Sequence, residues 1–175
     1  MSADAEIIDI GAGASFFDPY LALRYPRLCC TDSMKYGDVT AMVAAQRAHY
    51  GVTLPLYDVP IEGMPADWEE KFDVTMCIST LEHVDADKHD DALREICRIT
   101  KPGGLIFITS DYFRDLAQFE TSPSRDLQQT AYMKDSVLDI PNVIDAEFVG
   151  ETDLDYRGDF VHNYSFVNIC LRKVM

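Results

Sequence analysis

Three runs of apolar residues in this sequence are nearly continuous, and they restrict the possible folds more than any other feature. They occupy residues 7–10, 74–78 and 105–108 and are spelled IIDI, VTMCI and LIFI. A strand with one face in water alternates apolar and polar residues, whereas a strand that is covered on both faces does not. These runs therefore predict buried parallel strands in a sheet that has helices on both faces.

Strand-length apolar runs alternate with helix-length amphipathic stretches along most of the chain, which is typical of an α/β fold. The predicted strands span residues 6–10, 27–31, 53–57, 72–78 and 104–109, and the predicted helices span about 17–24, 39–50 and 86–100. From 113 to 143 the apolar residues are interrupted by Pro123 and several serines, so we expect broken helices there. Two more strands, within 145–156 and 163–173, are predicted to form an antiparallel hairpin that closes the sheet.

The size and charge of the chain exclude several classes of function. With 175 residues, of which 47% are hydrophobic, residues 1–175 are predicted to form one domain with one well-buried core. The net charge of −15 should repel a phosphate backbone, so no nucleic-acid partner is expected. No stretch resembles a targeting sequence or reaches the roughly 18 apolar residues of a membrane span, so we expect a cytoplasmic protein without a membrane partner. The five cysteines form no CxxC pair, which favours buried free thiols over a metal site.

A pair of glycines, Gly11 and Gly13, directly follows the first apolar run. A strand, a glycine turn and a helix place backbone N–H groups beside a ligand at the carboxyl end of a sheet. A nucleoside triphosphate site needs GxxxxGK, and no lysine lies near this turn. A dinucleotide site needs GxGxxG, but Phe16 occupies the third glycine position, which weakens that alternative without removing it.

A third ligand class, a sulfonium cofactor, is favoured by several stretches taken together. The stretch DIGAGAS at 9–15 resembles the first motif of class I S-adenosylmethionine-dependent methyltransferases, with Ser15 in place of the last glycine. Four further stretches follow in the order of that family: CCTDS at 29–33, LPLYDVP at 54–60, KFDVTMCISTLEHV at 71–84 and LREICRITKPGGLIFITSDY at 93–112. The resemblance implies a Rossmann-like, mostly parallel seven-stranded sheet with a C-terminal antiparallel hairpin.

The resemblance also implies where S-adenosylmethionine, or its product S-adenosylhomocysteine, would bind. Asp32 would accept hydrogen bonds from both ribose hydroxyls, because a carboxylate offers two acceptor oxygens. Met34 would pack on one face of the adenine, and Asp58 would accept a hydrogen bond from the adenine amino group. The full predicted cofactor-binding set is Asp9, Gly11, Ala12, Gly13, Asp32, Ser33, Met34, Asp58, Val59, Ser79 and Leu81.

Methyl transfer from a sulfonium is an in-line displacement with an activated donor, so positioning and exclusion of water matter more than a strong base. If a base is used, the candidates at the carboxyl ends of the strands are Glu82, His83, Asp111, Tyr112 and His162. His83 is preferred, because it follows the fourth strand and imidazole titrates near neutral pH.

The leading interpretation is therefore a methyltransferase with a small-molecule acceptor, and no metal is predicted. A non-catalytic cofactor-binding subunit of the same fold and an NAD-dependent oxidoreductase stay open as alternatives. The first strand begins by about residue 6, so the helices that commonly precede it in this family are expected to be missing. We accordingly expect the exposed site to be covered by another chain, as in a homodimer or with a partner chain, by the segment 112–143, or by a macromolecular acceptor.

Overall fold

The computed structural model of this protein contains one mixed sheet with helices packed on both faces, which confirms the predicted fold class. It describes residues 1–34, 37–122, 132–150, 154 and 165–175. The described strands are β1 (Ile7–Ile10), β2 (Leu28–Asp32), β3 (Leu56–Asp58), β4 (Phe72–Ile78), β5 (Thr100–Tyr112), β6 (Ala146–Phe148) and β7 (Ser165–Lys173). The described α-helices are α1 (Phe17–Ala22), α2 (Thr40–Tyr50), α3 (His89–Ile99), α4 (Leu116–Glu120) and α5 (Lys134–Val143).

The seven strands of the described residues lie in the order β3-β2-β1-β4-β5-β7-β6. The pairs from β3 to β5 are parallel, and β7 pairs antiparallel with both β5 and β6. The strand order changes direction at β1, because β2 lies on one side of β1 and β4 lies on the other. In open α/β sheets, ligands bind outside the carboxyl ends of the strands at such a switch point.

Two buried apolar clusters cover the two faces of the sheet. The larger cluster packs α3 and α5 against the sheet and includes the fully buried Ile8, Leu93 and Ile96. The smaller cluster lies under α1 and α2 and includes Ile7 and Val74. Both faces of β1 are therefore buried, which explains its continuous apolar run.

Several element boundaries differ from the sequence prediction, and the backbone chemistry explains two of them. Strand β3 begins at Leu56 rather than at residue 53, since Pro55 has no N–H to donate to a ladder. Strand β5 begins at Thr100 rather than at residue 104, and its pairing with β4 shifts register between Phe72 and Val74. Helix α2 begins at Thr40, whose N–H donates to Asp38 Oδ1 at 2.8 Å, one residue later than expected.

The remaining elements agree with the prediction in type. The segment from 113 to 143 contains the separate helices α4 and α5, and β6 and β7 pair antiparallel as the predicted hairpin. The turn expected at 157–163 lies outside the described residues. Four of the five cysteines are buried, and all five are free thiols. Among the described residues, no helix has the length and apolarity to cross a membrane.

Candidate functional site

The glycine turn that joins β1 to α1 has the backbone conformation that only glycine adopts easily. Gly11 has a φ of 69° and Gly13 a φ of 57°, both in the left-handed region. The turn is held to β2 because the N–H groups of Gly11 and Ala12 both donate to the carbonyl of Thr31, at 2.9 and 3.0 Å.

The two glycines are required for different reasons. A Cβ atom at Gly11 would overlap the side chain of Thr80, whose hydroxyl donates to the Gly11 carbonyl at 3.2 Å. A Cβ atom at Gly13 would meet nothing within 4 Å and would project into open space. Gly11 therefore permits close packing inside the protein, and Gly13 leaves room for a ligand.

Asp32, at the carboxyl end of β2, connects the glycine turn to the next loop. Its Oδ2 accepts the Gly13 N–H at 2.9 Å, and its Oδ1 accepts the Met34 N–H at 2.8 Å. Each carboxylate oxygen has a further lone pair, so the side chain can still accept bonds from a diol.

These elements border a cleft with a volume of about 430 Å³ at the carboxyl ends of β1, β2 and β4. Its described lining is Ile10, Gly11, Gly13, Asp32, Ser33, Gly37, Val39, Val59, Pro60, Ile61, Glu62, Ser79, Thr80, His83, Val84, Asp85 and Lys88. Across the cleft mouth, Lys88 Nζ lies 3.3 Å from Glu62 Oε1 and 3.6 Å from Asp85 Oδ2. Three carboxylates against one lysine make the lining acidic, which suits a cationic ligand.

The cleft brings together part of the predicted cofactor set. Its lining includes the predicted residues Gly11, Gly13, Asp32, Ser33, Val59 and Ser79. The described lining does not include Asp9, Ala12, Met34, Asp58 or Leu81. Leu81 is fully buried in the core, and Asp58 is exposed at the end of β3.

Asp9 lies beneath the glycine turn rather than in the cleft lining. Asp9 and Asp18 in α1 are each 2% exposed, and the Oδ1 atom of each is buried without a hydrogen-bond partner among the described residues. Burial is the main cause that raises the pKa of Asp9, and the charge of Asp18 raises it further. Burial also raises the pKa of Asp18 to about 6. Both carboxyl groups therefore favour the protonated form more than a free aspartate does, which a sequence of two separated aspartates does not indicate.

The five candidate bases differ in whether they are buried or line the cleft. Among the described residues, His83 is the one of the five that lines the cleft. Glu82 is buried, accepts a hydrogen bond from Ser110 Oγ at 3.2 Å, and has its pKa raised mainly by burial. Asp111 and Tyr112 are buried in β5, and the Tyr112 hydroxyl donates to the Leu154 carbonyl. His162 lies outside the described residues.

Several residues of the site were missed by sequence reasoning. Thr80 contacts Gly11 across 69 positions, and Gln46 donates from α2 to the Ala14 carbonyl at 2.9 Å. Neither long-range pair leaves a local pattern. Of these missed residues, Lys88 has a signal in the sequence: it is the lysine of the acidic stretch VDADKHDD, which lies just beyond the LEHV loop.

Two residues on the loops that follow β2 and β4 adopt a strained backbone, and of these Ser79 lines the cleft. Met34 and Ser79 have φ values of 53° and 49°, and they follow the carboxyl ends of β2 and β4. The N–H of Ser79 donates to the Thr109 carbonyl at 3.0 Å, which holds the turn in place. Left-handed conformations at residues other than glycine are costly and concentrate at ligand-binding loops.

Comparison with known proteins decides the family. The sequence profile of a family described as "Methyltransferase domain" matches residues 8–108, which run from β1 into β5. The chain belongs to the methyltransferase-domain family. The match covers all three strands whose carboxyl ends border the cleft, but it ends before β6 and β7.

Similar sequences and structures agree with this assignment. The ubiquinone biosynthesis O-methyltransferase of Pseudomonas savastanoi pv. phaseolicola is 28% identical over 109 residues, which are 62% of this chain and 45% of that protein. The chain thus matches less than half the length of that methyltransferase. A Burkholderia thailandensis 1,6-didemethyltoxoflavin-N1-methyltransferase, solved with bound S-adenosylhomocysteine, superposes with a TM-score of 0.74 at 15% identity. That superposition covers 98% of this chain and 72% of the other.

A SAM-dependent methyltransferase of Methanosarcina mazei superposes with a TM-score of 0.74 at 15% identity, over 100% of this chain and 95% of its own. At such identities the structural likeness establishes the methyltransferase-domain fold.

Proposed function

We propose that this protein binds S-adenosylmethionine in the cleft and transfers its methyl group to a small-molecule acceptor. The observation that carries the proposal is the cleft itself. In it the glycine turn, Asp32 and the loop after β4 meet at the switch point of a methyltransferase-domain fold. S-adenosylhomocysteine in the Burkholderia thailandensis methyltransferase supports the choice of cofactor.

The residues of the cleft fit this cofactor. The open space before Gly13 would admit the methionine part next to the main chain. Asp32 would accept hydrogen bonds from the ribose hydroxyls with its remaining lone pairs. Val59 and Ile61 give an apolar wall for the adenine, and the acidic lining is favourable for a sulfonium. Ser33 and Ser79 stay in the predicted contact set because both line the cleft.

When bound, S-adenosylmethionine supplies a methyl group that is already activated for displacement. The chain then has to hold the acceptor in line with that group and keep water out. Thr80, tied to Gly11, fixes the loop after β4 next to the glycine turn. The short 3₁₀ turn Leu81–His83 anchors this loop through the buried Leu81 and Glu82, and it directs His83 to the cleft.

A small acceptor is supported by the charge of the chain and by the name of a structurally similar protein. The net charge of −15 and the acidic cleft oppose a nucleic-acid substrate. The Burkholderia thailandensis methyltransferase is named for a small molecule, 1,6-didemethyltoxoflavin, and was solved with that molecule bound. The family match ends at residue 108, so it carries no information on the later residues that would contact an acceptor.

We propose His83 as the general base that accepts the proton of the acceptor. His83→Ala should then lower kcat by about 10²–10⁴-fold while leaving the affinity for S-adenosylhomocysteine nearly unchanged. The matched control is His49→Ala on α2, outside the cleft lining, which should change neither quantity. A change in kcat of less than tenfold for His83→Ala would show that His83 lines the cleft but is not the general base.

The activity itself is tested by incubating the purified protein with methyl-labelled S-adenosylmethionine and a panel of phenols, catechols, amines and heteroaromatic compounds. Label in an organic product, reduced in Asp32→Asn, is the expected result. Cofactor binding without transfer to any acceptor would favour the non-catalytic alternative. Failure to bind the cofactor would contradict the proposal.

A further inference from the structure

An apolar groove lies beside α1, on the face of the sheet that carries α1 and α2. The groove has a volume of about 460 Å³, and its described lining is Met1, Ile7, Phe17, Leu21, Tyr25, Val74, Met76, Ile78, Phe107, Ile108, Thr109, Asn168, Ile169 and Cys170. One wall is thus helix α1, and the floor is β1, β4, β5 and β7. No lining side chain carries a charge, although the chain as a whole is strongly acidic.

The strand register shows that this floor is a continuous apolar surface. Met76 pairs with Phe107, and Phe107 pairs with Cys170, so their side chains project from the same face. Phe107 is 37% exposed, whereas its neighbours Ile106 and Ile108 are fully buried under α3 and α5 on the opposite face. A sheet of this type normally has helices over both faces, and no helix of the described residues covers this part of it.

Helix α1 itself presents a second apolar surface to solvent. Phe16, Tyr20 and Leu23 are 68%, 65% and 56% exposed and lie on one side of the helix. The opposite side, with Asp18 and Ala22, is buried against the sheet. The same patch of the molecule therefore contains a convex apolar ridge and, directly beside it, a concave apolar groove.

We propose that two copies of this chain associate through this patch, with α1 of each copy lying in the groove of the other. A two-fold interface requires a surface that is complementary to itself, and a ridge beside a groove has that property. Each α1 would lie between two sheets, with Asp18 and Ala22 toward its own sheet and Phe16, Tyr20 and Leu23 toward the partner's. The two helices would touch along the side that carries Phe17.

The exposed area matches what a stable dimer needs. The large apolar residues of the patch that reach solvent are Met1, Phe16, Phe17, Tyr20, Leu23, Ile78, Phe107 and Phe166. At roughly 200 Å² for each fully exposed large side chain, their exposed fractions leave on the order of 800 Å² of surface. One partner in an interface of standard size buries about the same area. Burying an uncharged patch also lets two acidic chains meet where no like charges face each other.

Sedimentation equilibrium of the full chain, at loading concentrations up to about 100 μM, tests the proposal and does not depend on enzyme activity. The wild-type protein is expected at twice its chain mass of 19.8 kDa. Tyr20→Glu and Phe107→Glu should each shift it to the monomer, because they place a carboxylate in an apolar interface. Leu138→Glu, at an apolar position on α5 of the other face that is 46% exposed, a value between those of Phe107 and Tyr20, should leave the dimer intact.

Circular dichroism establishes that each variant is folded, and the exposed Tyr20 position gives a second measurement if Phe107→Glu does not fold. A monomeric wild-type protein at the highest concentration would overturn the proposal. A folded Tyr20→Glu variant that stays dimeric would also overturn it.

Discussion

At the scale of the single residue, Asp32 joins three parts of the site. It holds the glycine turn through Gly13 and the loop after β2 through Met34, and it faces the cleft. We predict that Asp32→Asn weakens S-adenosylhomocysteine binding by about 1.5–3 kcal/mol, since a charge-assisted acceptor is lost. Calorimetric titration measures this change, with the exposed Asp67→Asn as the matched control. An unchanged affinity would show that Asp32 does not contact the ribose.

The buried pair of Asp9 and Asp18 makes stability depend on pH in an unusual direction. The pKa of Asp18 is raised from 3.8 to about 6, mainly because burial disfavours the carboxylate. The stabilisation it contributes is therefore complete below pH 3.8 and is lost as pH rises through about 6. In wild type, this loss should lower the free energy of unfolding by ~1–3 kcal/mol between those two pH values, and Asp18→Asn should remove that decrease.

Urea unfolding from pH 4 to pH 8 tests this prediction. The free energy of unfolding of Asp18→Asn should rise relative to wild type across that range, and the exposed Asp4→Asn should follow wild type. Parallel pH profiles of wild type and Asp18→Asn would show that Asp18 titrates normally in the folded protein.

At the scale of the element, the two glycines of the β1–α1 turn have different roles. Gly11 permits close packing, and Gly13 leaves room for a ligand. Gly11→Ala should destabilise the fold by about 2–4 kcal/mol, from a left-handed φ and from overlap with Thr80. Gly13→Ala has only the backbone strain of about 1 kcal/mol and instead places a methyl group in the cleft, which should weaken S-adenosylhomocysteine binding.

Unfolding and binding measured on both variants separate these effects. The double variant Gly11→Ala/Thr80→Ala should recover part of the lost stability, because the overlap is removed. Equal stability losses at Gly11 and Gly13, without recovery in the double variant, would contradict the assignment of roles.

How far the sequence predicts these elements depends on whether the deciding contact is local. Strand β4 was predicted with its observed ends, since burial on both faces leaves a continuous apolar run. The start of β5 was not predicted correctly, because it depends on the pairing of Thr100 with Phe72 in another strand. The turn at Gly11 was visible as a motif, but its contact with Thr80, 69 positions away, arises only when distant segments meet.

At the scale of the whole molecule, the two faces of the sheet differ in how completely they are covered. Among the described helices, α3 and α5 close one face over a large core, whereas α1, with α2 beside it, packs on the β1 and β2 side of the other. The cofactor cleft and the proposed dimer surface meet at α1, which begins four residues after Gly13. An association that holds α1 would therefore also hold the turn that faces the cofactor.

The central claim is that the cleft at the glycine turn binds the adenosyl cofactor. Isothermal calorimetry of the purified protein with S-adenosylhomocysteine, and separately with NAD, tests it most directly. We predict binding of S-adenosylhomocysteine in the micromolar range, weakened in Asp32→Asn, and no response to NAD. Binding of NAD alone would assign the glycine turn to a dinucleotide, and no binding of either ligand would contradict the cofactor site.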